Sequence, residues 1–200
     1  LSNRRRSVTI VQKGNIMKYT EGAFRNWAYE VARDEYGDST ITEKQLVEEY
    51  KGRQPEGKVL INDRLADDMF RLVLMRPEDC DVLAMPNLNG DYLSDACIAQ
   101  VGGIGLAPSA NLSDTMGLFE SAHGSAPKYA GQNKVNPSAL ILAGVMMLEH
   151  MGWKEAGGRI LSALQKTISL KRVTYDLARQ MKGAVELSTS DFGAEVINNM

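Results

Sequence analysis

Apolar positions along this chain follow two periods, and the switches between them mark the expected elements. Val8-Thr9-Ile10-Val11 is a short apolar run with the β-branched bias of a buried strand, broken by Lys13-Gly14-Asn15. Thr20 is placed to cap a helix whose Phe24, Trp27, Ala28 and Val31 recur at helical spacing, and Gly37 ends it. Residues 38–58 are polar and interrupted by Pro55 and Gly57, which predicts a surface excursion. A second helix is expected over about 63–75, with Leu65, Met69, Leu72 and Val73 facing inward. Cys80 to Met85 then reads as a strand closed by Pro86.

Asn87-Leu88-Asn89-Gly90 reads as a loop, followed by a helix from about Asp91 to Val101. Gly102 to Asn111 is rich in Gly, Pro and small side chains, and a crossing between two domains, 1–101 and 102–200, is placed there. Leu118 to Ser121 predicts a strand, and His123 to Pro137 a long polar loop. Helices over about 138–151 and 153–170, a turn at Arg172-Val173-Thr174 and short helices complete the chain. Strands alternating with helices indicate α/β architecture.

Composition narrows the class. The 200 residues carry a net charge of −2, which argues against a general binder of nucleic acid or anionic membrane. The basic run Arg4-Arg5-Arg6 stands directly before a strand and reads as its solvated lead-in. Cys80 and Cys97 have no metal-ligand spacing and read as small core residues, which fits a reducing, cytoplasmic setting. No apolar run has membrane length. The chain opens on Leu1-Ser2-Asn3 and enters a strand almost at once, which predicts a portion of a longer polypeptide.

Several residues carry candidate chemistry. Asp91 and Asp95 stand four apart, so on a helix they share a face. Near a helix start the dipole favours both, and capping explains them as well as a metal does. Two carboxylates with open space suit Mg²⁺ or Mn²⁺, which keep positions for water and substrate oxygens. Lys13 follows a strand, and Asp67 falls in a helical pattern; read singly, each is an ordinary surface charge. His123-Gly124-Ser125-Ala126-Pro127-Lys128-Tyr129-Ala130-Gly131 is a loop of small residues whose N–H groups can approach a ligand. Gly103-Ile104-Gly105 falls short of a dinucleotide fingerprint, and there is no Walker lysine. Tyr175 and Arg179, four apart, share one helical face.

The run from Asn87 to Asn111, NLNGDYLSDACIAQVGGIGLAPSAN, closely resembles the signature of the isocitrate/isopropylmalate dehydrogenase family of metal-dependent β-decarboxylating dehydrogenases. The likeness extends from SVTIVQKGNIMKYTEGAF through RLADDMF to the final INNM, and is greatest to the family's bacterial NADP-dependent isocitrate dehydrogenases. Residues 38–60 depart most from it. The resemblance implies the carboxy-terminal half of that family's own α/β fold, not a Rossmann fold. Residues 1–101 would then belong to the small, dimer-forming domain and 102–200 to the large domain with the NADP loop.

By the same resemblance Asp91 and Asp95 bind Mg²⁺ or Mn²⁺ together with Asp67 of a partner subunit. Lys13 matches the catalytic lysine that acts across the dimer interface, and Asn15 a nearby polar contact. His123, Gly124, Ser125, Ala126, Pro127, Lys128 and Tyr129 match the NADP loop, with Val135 and Asn136 at the adenine. Lys128, Tyr129, Tyr175 and Arg179 match the residues around the ribose 2′-phosphate. Two cations and two hydroxyl donors suit that group, each charged hydrogen bond contributing about 1.5–3 kcal/mol.

The implied reaction, a step of the tricarboxylic acid cycle, converts isocitrate to 2-oxoglutarate, CO₂ and NADPH in a homodimer with shared active sites. The family's substrate-binding serine, asparagine and arginines and its relay tyrosine have no counterpart here, so this chain alone is expected to be inactive. An isopropylmalate or homoisocitrate dehydrogenase shares the metal motif, and a non-catalytic truncated or regulatory subunit is the other alternative. Lys128, Tyr175 and Arg179 favour isocitrate, and the intact set Lys13, Asp67, Asp91 and Asp95 favours an enzyme.

Overall fold

The computed structural model describes residues 5–200; the opening Leu1-Ser2-Asn3 and Arg4 lie outside the described residues. The chain divides into two compact units, one running to Cys97 and the other covering Ile98–Met200.

In the first unit β1 (Ser7–Gln12) is followed by α1 (Glu21–Tyr36), β2 (Thr40–Thr42), α2 (Glu43–Glu48), β3 (Val59–Leu65), α3 (Ala66–Met75), β4 (Val82–Ala84) and α4 (Asn87–Gln100). The four strands form a parallel sheet in the order β2-β3-β1-β4. Interior position explains the apolar run in β1: Ile10 and Val11 are each 1% exposed. Val11 packs with Met69, Val73 and Leu93, joining α3 and α4 to the sheet. Each such buried side chain contributes roughly 1.5–3 kcal/mol. Asp81 fastens the start of β1, accepting from the backbone N–H groups of Arg6 (2.5 Å) and Ser7 (3.0 Å). Cys80 and Cys97 are free and pack beside this core, where burial raises both thiols above their ordinary range.

Several expectations change here. The stretch read as a surface excursion holds β2 and α2. A capping box starts α2: the Gln45 N–H donates to Thr42 Oγ1 (3.3 Å) and the Thr42 N–H donates to Gln45 Oε1 (3.0 Å). The second helix begins at Ala66 rather than near 63, because Val59-Leu60-Ile61 opens a strand that pairs with β1 and runs on to Leu65. Thr20 stands at the N-cap of α1, but it is itself in a helical conformation and its hydroxyl makes no capping bond. Trp27 (62%) and Val31 (47%), expected on a buried face, are exposed in the single chain. Asn87 to Gly90, expected as a loop, form the first turn of α4.

In the second unit β5 (Pro108–Leu112) and β6 (Gly117–Ser121) form an antiparallel hairpin. They are followed by α5 (Ser138–His150), α6 (Lys154–Ser169), β7 (Arg172–Val173), α7 (Tyr175–Ala178), β8 (Val185–Glu186) and α8 (Thr189–Asn198). Pro108 opens β5, a position where its missing N–H costs nothing, so the small-residue stretch contains a strand that composition hid. The turn expected at Arg172 is likewise a short strand, pairing in parallel with β8. Leu164, Val173, Leu177, Phe192 and Val196 form the core of this unit. Among the described residues no helix is long and apolar enough to cross a membrane.

Candidate functional site

Two groups of candidate residues emerge, one in each unit. In the first, parallel pairing sets Gln12 beside Leu65, so the carboxyl ends of β1 and β3 lie together. Lys13 follows the first strand directly, and Asp67 sits in the opening turn of α3 just past the second. Their side chains meet, Lys13 Nζ lying 2.5 Å from Asp67 Oδ1. The Lys13 ammonium holds the exposed Asp67 carboxyl below its ordinary range. Asp68 bonds instead to Arg71 on its own helix.

Asp91 and Asp95 stand on the solvent side of α4, exposed, with buried Leu93 between them. Because α4 begins at Asn87, Asp91 lies past the first turn, and the helix dipole gives it little of the stabilisation expected from sequence. Neither carboxylate belongs to an ion pair among the described residues. Two unpaired acceptor groups on one helical face form a donor set that suits a hard divalent cation. Among the described residues, no three His, Cys, Asp or Glu side chains come together as a metal site.

Sequence reasoning missed Glu21. Its Oε2 accepts from the Lys13 N–H (2.5 Å) and from Asn89 Nδ2 (2.9 Å), tying the lysine's backbone to the first turn of α4. An acid in the first turn of a helix is commonplace, so no local signal distinguishes this glutamate. Asp63, also missed, accepts from Gln12 Nε2 (2.9 Å) and Tyr29 Oη (3.0 Å) and pairs with Arg25 (3.3 Å). Burial, then this bond to Asp63, raises the Tyr29 phenol well above its ordinary range. Asn15 and Lys18 are exposed and line a polar cleft with Gln12, Arg25 and Asp63.

The second group surrounds a cleft lined by Gly102 to Gly105, His123 to Ala126, Tyr129, Val135, Asn136, Tyr175 and Arg179. Ala126 is left-handed (φ 46°, ψ 57°), and Pro127–Tyr129 forms a single 3₁₀ turn that presents Lys128 and Tyr129. His123 Nδ1 lies 2.9 Å from the Gly124 carbonyl, which can only accept, so that nitrogen carries the proton. The rings of Tyr129 and Tyr175 approach to 5.9 Å between centroids. Contact with Tyr129, aided by partial burial, raises the Tyr175 phenol above its usual value. Arg179 closes α7, its guanidinium carbon 6.0 Å from the Tyr175 ring.

Asn136 is 5% exposed, and both its amide nitrogen and its amide oxygen bond to the protein. Nδ2 donates to Asp176 Oδ2 (3.0 Å), while Oδ1 accepts from the Ser138 N–H (2.9 Å). Thr174 Oγ1 donates to the other oxygen of Asp176 at 2.6 Å. These bonds brace the end of the loop against α7, which carries Tyr175 and Arg179. Gly105 makes this possible: a Cβ there would stand 2.8 Å from Asp176 Oδ2 and 2.9 Å from Asn136 Cβ.

Comparison with known proteins shows the family. A family model described as isocitrate/isopropylmalate dehydrogenase matches residues 1–196. The chain is 56% identical over 200 residues to an NADP isocitrate dehydrogenase of Archaeoglobus fulgidus, covering all of this chain and 48% of that protein. It is 52% identical over 214 residues to one of Staphylococcus epidermidis, covering all of this chain and 51% of the relative. An isocitrate dehydrogenase structure from Methylococcus capsulatus superposes with a TM-score of 0.81 at 36% identity, over 99% of this chain and 51% of that one. The chain thus spans about half the length of the curated relatives it matches.

Proposed function

This chain belongs to the isocitrate/isopropylmalate dehydrogenase family, and from that premise we propose that it supplies the metal carboxylates, the proton-transfer lysine and the NADP loop of an NADP-dependent isocitrate dehydrogenase. The reaction is oxidative decarboxylation of isocitrate to 2-oxoglutarate. The observation that carries the reading is the meeting of Lys13 and Asp67 at adjoining carboxyl ends of parallel strands. Ligands and catalytic groups of open α/β sheets gather at that edge.

Asp91 and Asp95 hold the divalent cation in one copy of the chain, and Asp67 serves the same site of a second copy. A bound cation supplies positive charge where the substrate oxygen becomes negative as CO₂ leaves, and NADP supplies the hydride acceptor. Lys13 moves with Asp67 into that neighbouring site and assists removal of the proton from the hydroxyl being oxidised. Glu21 keeps the Lys13 backbone fixed to α4. Lys128, Tyr129, Tyr175 and Arg179 orient the dinucleotide by its 2′-phosphate. A homodimer follows from this division of labour, because neither copy completes a site by itself.

The reading is tested with a polypeptide of the relatives' full length that contains this sequence, given isocitrate, Mn²⁺ and NADP. NADPH formation is expected, and Lys13→Met should slow it by about 10²–10⁴-fold while NADP still binds. No NADPH from the unaltered protein, or full activity in the Lys13 variant, refutes it.

A further inference from the structure

We propose that Lys134, which stands against the cleft-lining Tyr175, is a specificity-determining residue for the dinucleotide, a third cation that recognises the 2′-phosphate. The inference rests on the NADP reading above and extends it to a residue outside the resemblance-derived set. Lys134 Nζ stands 4.7 Å from the centroid of the Tyr175 ring, closer than the Arg179 guanidinium at 6.0 Å. Lys128 Nζ lies 5.4 Å from the Tyr129 ring, and the two rings are neighbours. Each of the three cations therefore stands against one ring of a neighbouring pair of tyrosines.

None of the three belongs to an ion pair among the described residues. The nearby carboxylate of Asp176 has both oxygens engaged, by Asn136 and Thr174. Cations without a carboxylate partner remain available to an anion, and a phosphomonoester carries about −1.5 to −2 near neutral pH. Its three acceptor oxygens match several separate donors, whereas a 2′-hydroxyl in the same place offers no charge to attract them.

The backbone around Lys134 is held in place. Asn133 adopts a left-handed conformation (φ 49°), and its side chain bonds to Ser190 through both Nδ2 (2.8 Å) and Oδ1 (3.0 Å). The Asn133 carbonyl accepts from the Thr189 N–H at 2.9 Å, and the Val135 carbonyl accepts from Thr189 Oγ1 at 2.6 Å. Lys134 is thus flanked on both sides by residues tied to the start of α8, which fixes its backbone and leaves only the side chain to be ordered.

The test is calorimetric binding of 2′,5′-ADP and 5′-AMP to a polypeptide of the relatives' full length that contains this sequence, unaltered and as Lys134→Met and Lys134→Arg, at two salt concentrations. Lys134→Met should weaken 2′,5′-ADP by about five- to tenfold, leave 5′-AMP unchanged and flatten the salt dependence; Lys134→Arg should recover most of the loss. Equal weakening of both nucleotides would show a merely structural residue, and an unchanged preference would also overturn the role of Lys134. If the unaltered chain itself does not prefer 2′,5′-ADP, the NADP reading fails and the inference falls with it.

Discussion

Lys13 and Asp67 are 54 residues apart in sequence, yet their side chains meet at 2.5 Å because β1 and β3 run in parallel with Gln12 beside Leu65. Under the proposed reading, the two side chains serve the site of a second copy from the same edge of the sheet. In Lys13→Met the Asp67 carboxyl should titrate nearer the ordinary value of about 3.9. Its depressed value in the unaltered chain means the interaction is present above the ordinary carboxylate range and fades as pH falls through the folded-state value. Carboxyl-carbon NMR titration of both proteins measures this; identical curves would remove the electrostatic link.

Asp91 and Asp95 are expected to bind Mn²⁺ only when Asp67 of a second copy is present. In the full-length dimer, Asp91→Asn, Asp95→Asn or Asp67→Asn should each weaken Mn²⁺ by about tenfold or more, since each removes a charged oxygen ligand. Paramagnetic resonance of free Mn²⁺ reads the affinity directly. Normal binding by Asp67→Asn would restrict the site to a single copy.

Reversing charge at Arg179 should invert nucleotide preference. Arg179→Glu is expected to weaken 2′,5′-ADP by well over tenfold with little effect on 5′-AMP, because an acid beside Tyr175 repels the phosphate. Competition against a fluorescent nucleotide provides the comparison, and parallel losses for both ligands would contradict it.

Glu21 is expected to matter for stability more than for nucleotide binding. Glu21→Ala leaves the Lys13 N–H and Asn89 without their shared acceptor, at a cost of about 1–2 kcal/mol, and Glu21→Gln should restore part of it. The midpoint of urea unfolding is the measurement. An unchanged midpoint in the alanine variant would show that water replaces the carboxylate at no cost.

Gly105→Ala should destabilise the second unit by about 1–3 kcal/mol, since the added methyl meets Asp176 and Asn136 at under 3 Å. The same displacement should loosen α7 and weaken 2′,5′-ADP. Full thermal stability together with full affinity would show that the bracket yields without consequence.

The sequence showed some elements better than others. α6 was legible because its apolar residues recur at helical spacing, and α5 because so long an apolar run exceeds an ordinary strand. The strands β2, β7 and β8 were not, being too short to carry a period; β5 lies in a stretch of Gly, Pro and small residues, and the end of seven-residue β3 was taken into the following helix. The start of α4 was missed for a related reason: Asn-Leu-Asn-Gly is poor helix material by propensity, and tertiary context overrides it. At the candidate site, residue types and the i, i+4 spacing of Asp91 and Asp95 could be read directly. The partners Glu21 and Asp63 could not, because an acid in a polar stretch looks the same whether it faces water or braces a catalytic loop.

By itself, then, the sequence determined the α/β class, the long helices, the acids of α4 and the family to which the chain belongs, all of which depend on local periodicity or on an ordered string of residues. Only the tertiary structure decided that Lys13 meets Asp67, that Glu21 joins the lysine loop to α4, and that Lys134 stands over Tyr175. Those relations arise from strand register and from loops pinned to distant helix starts, and no local pattern in a chain encodes which distant segments will lie side by side.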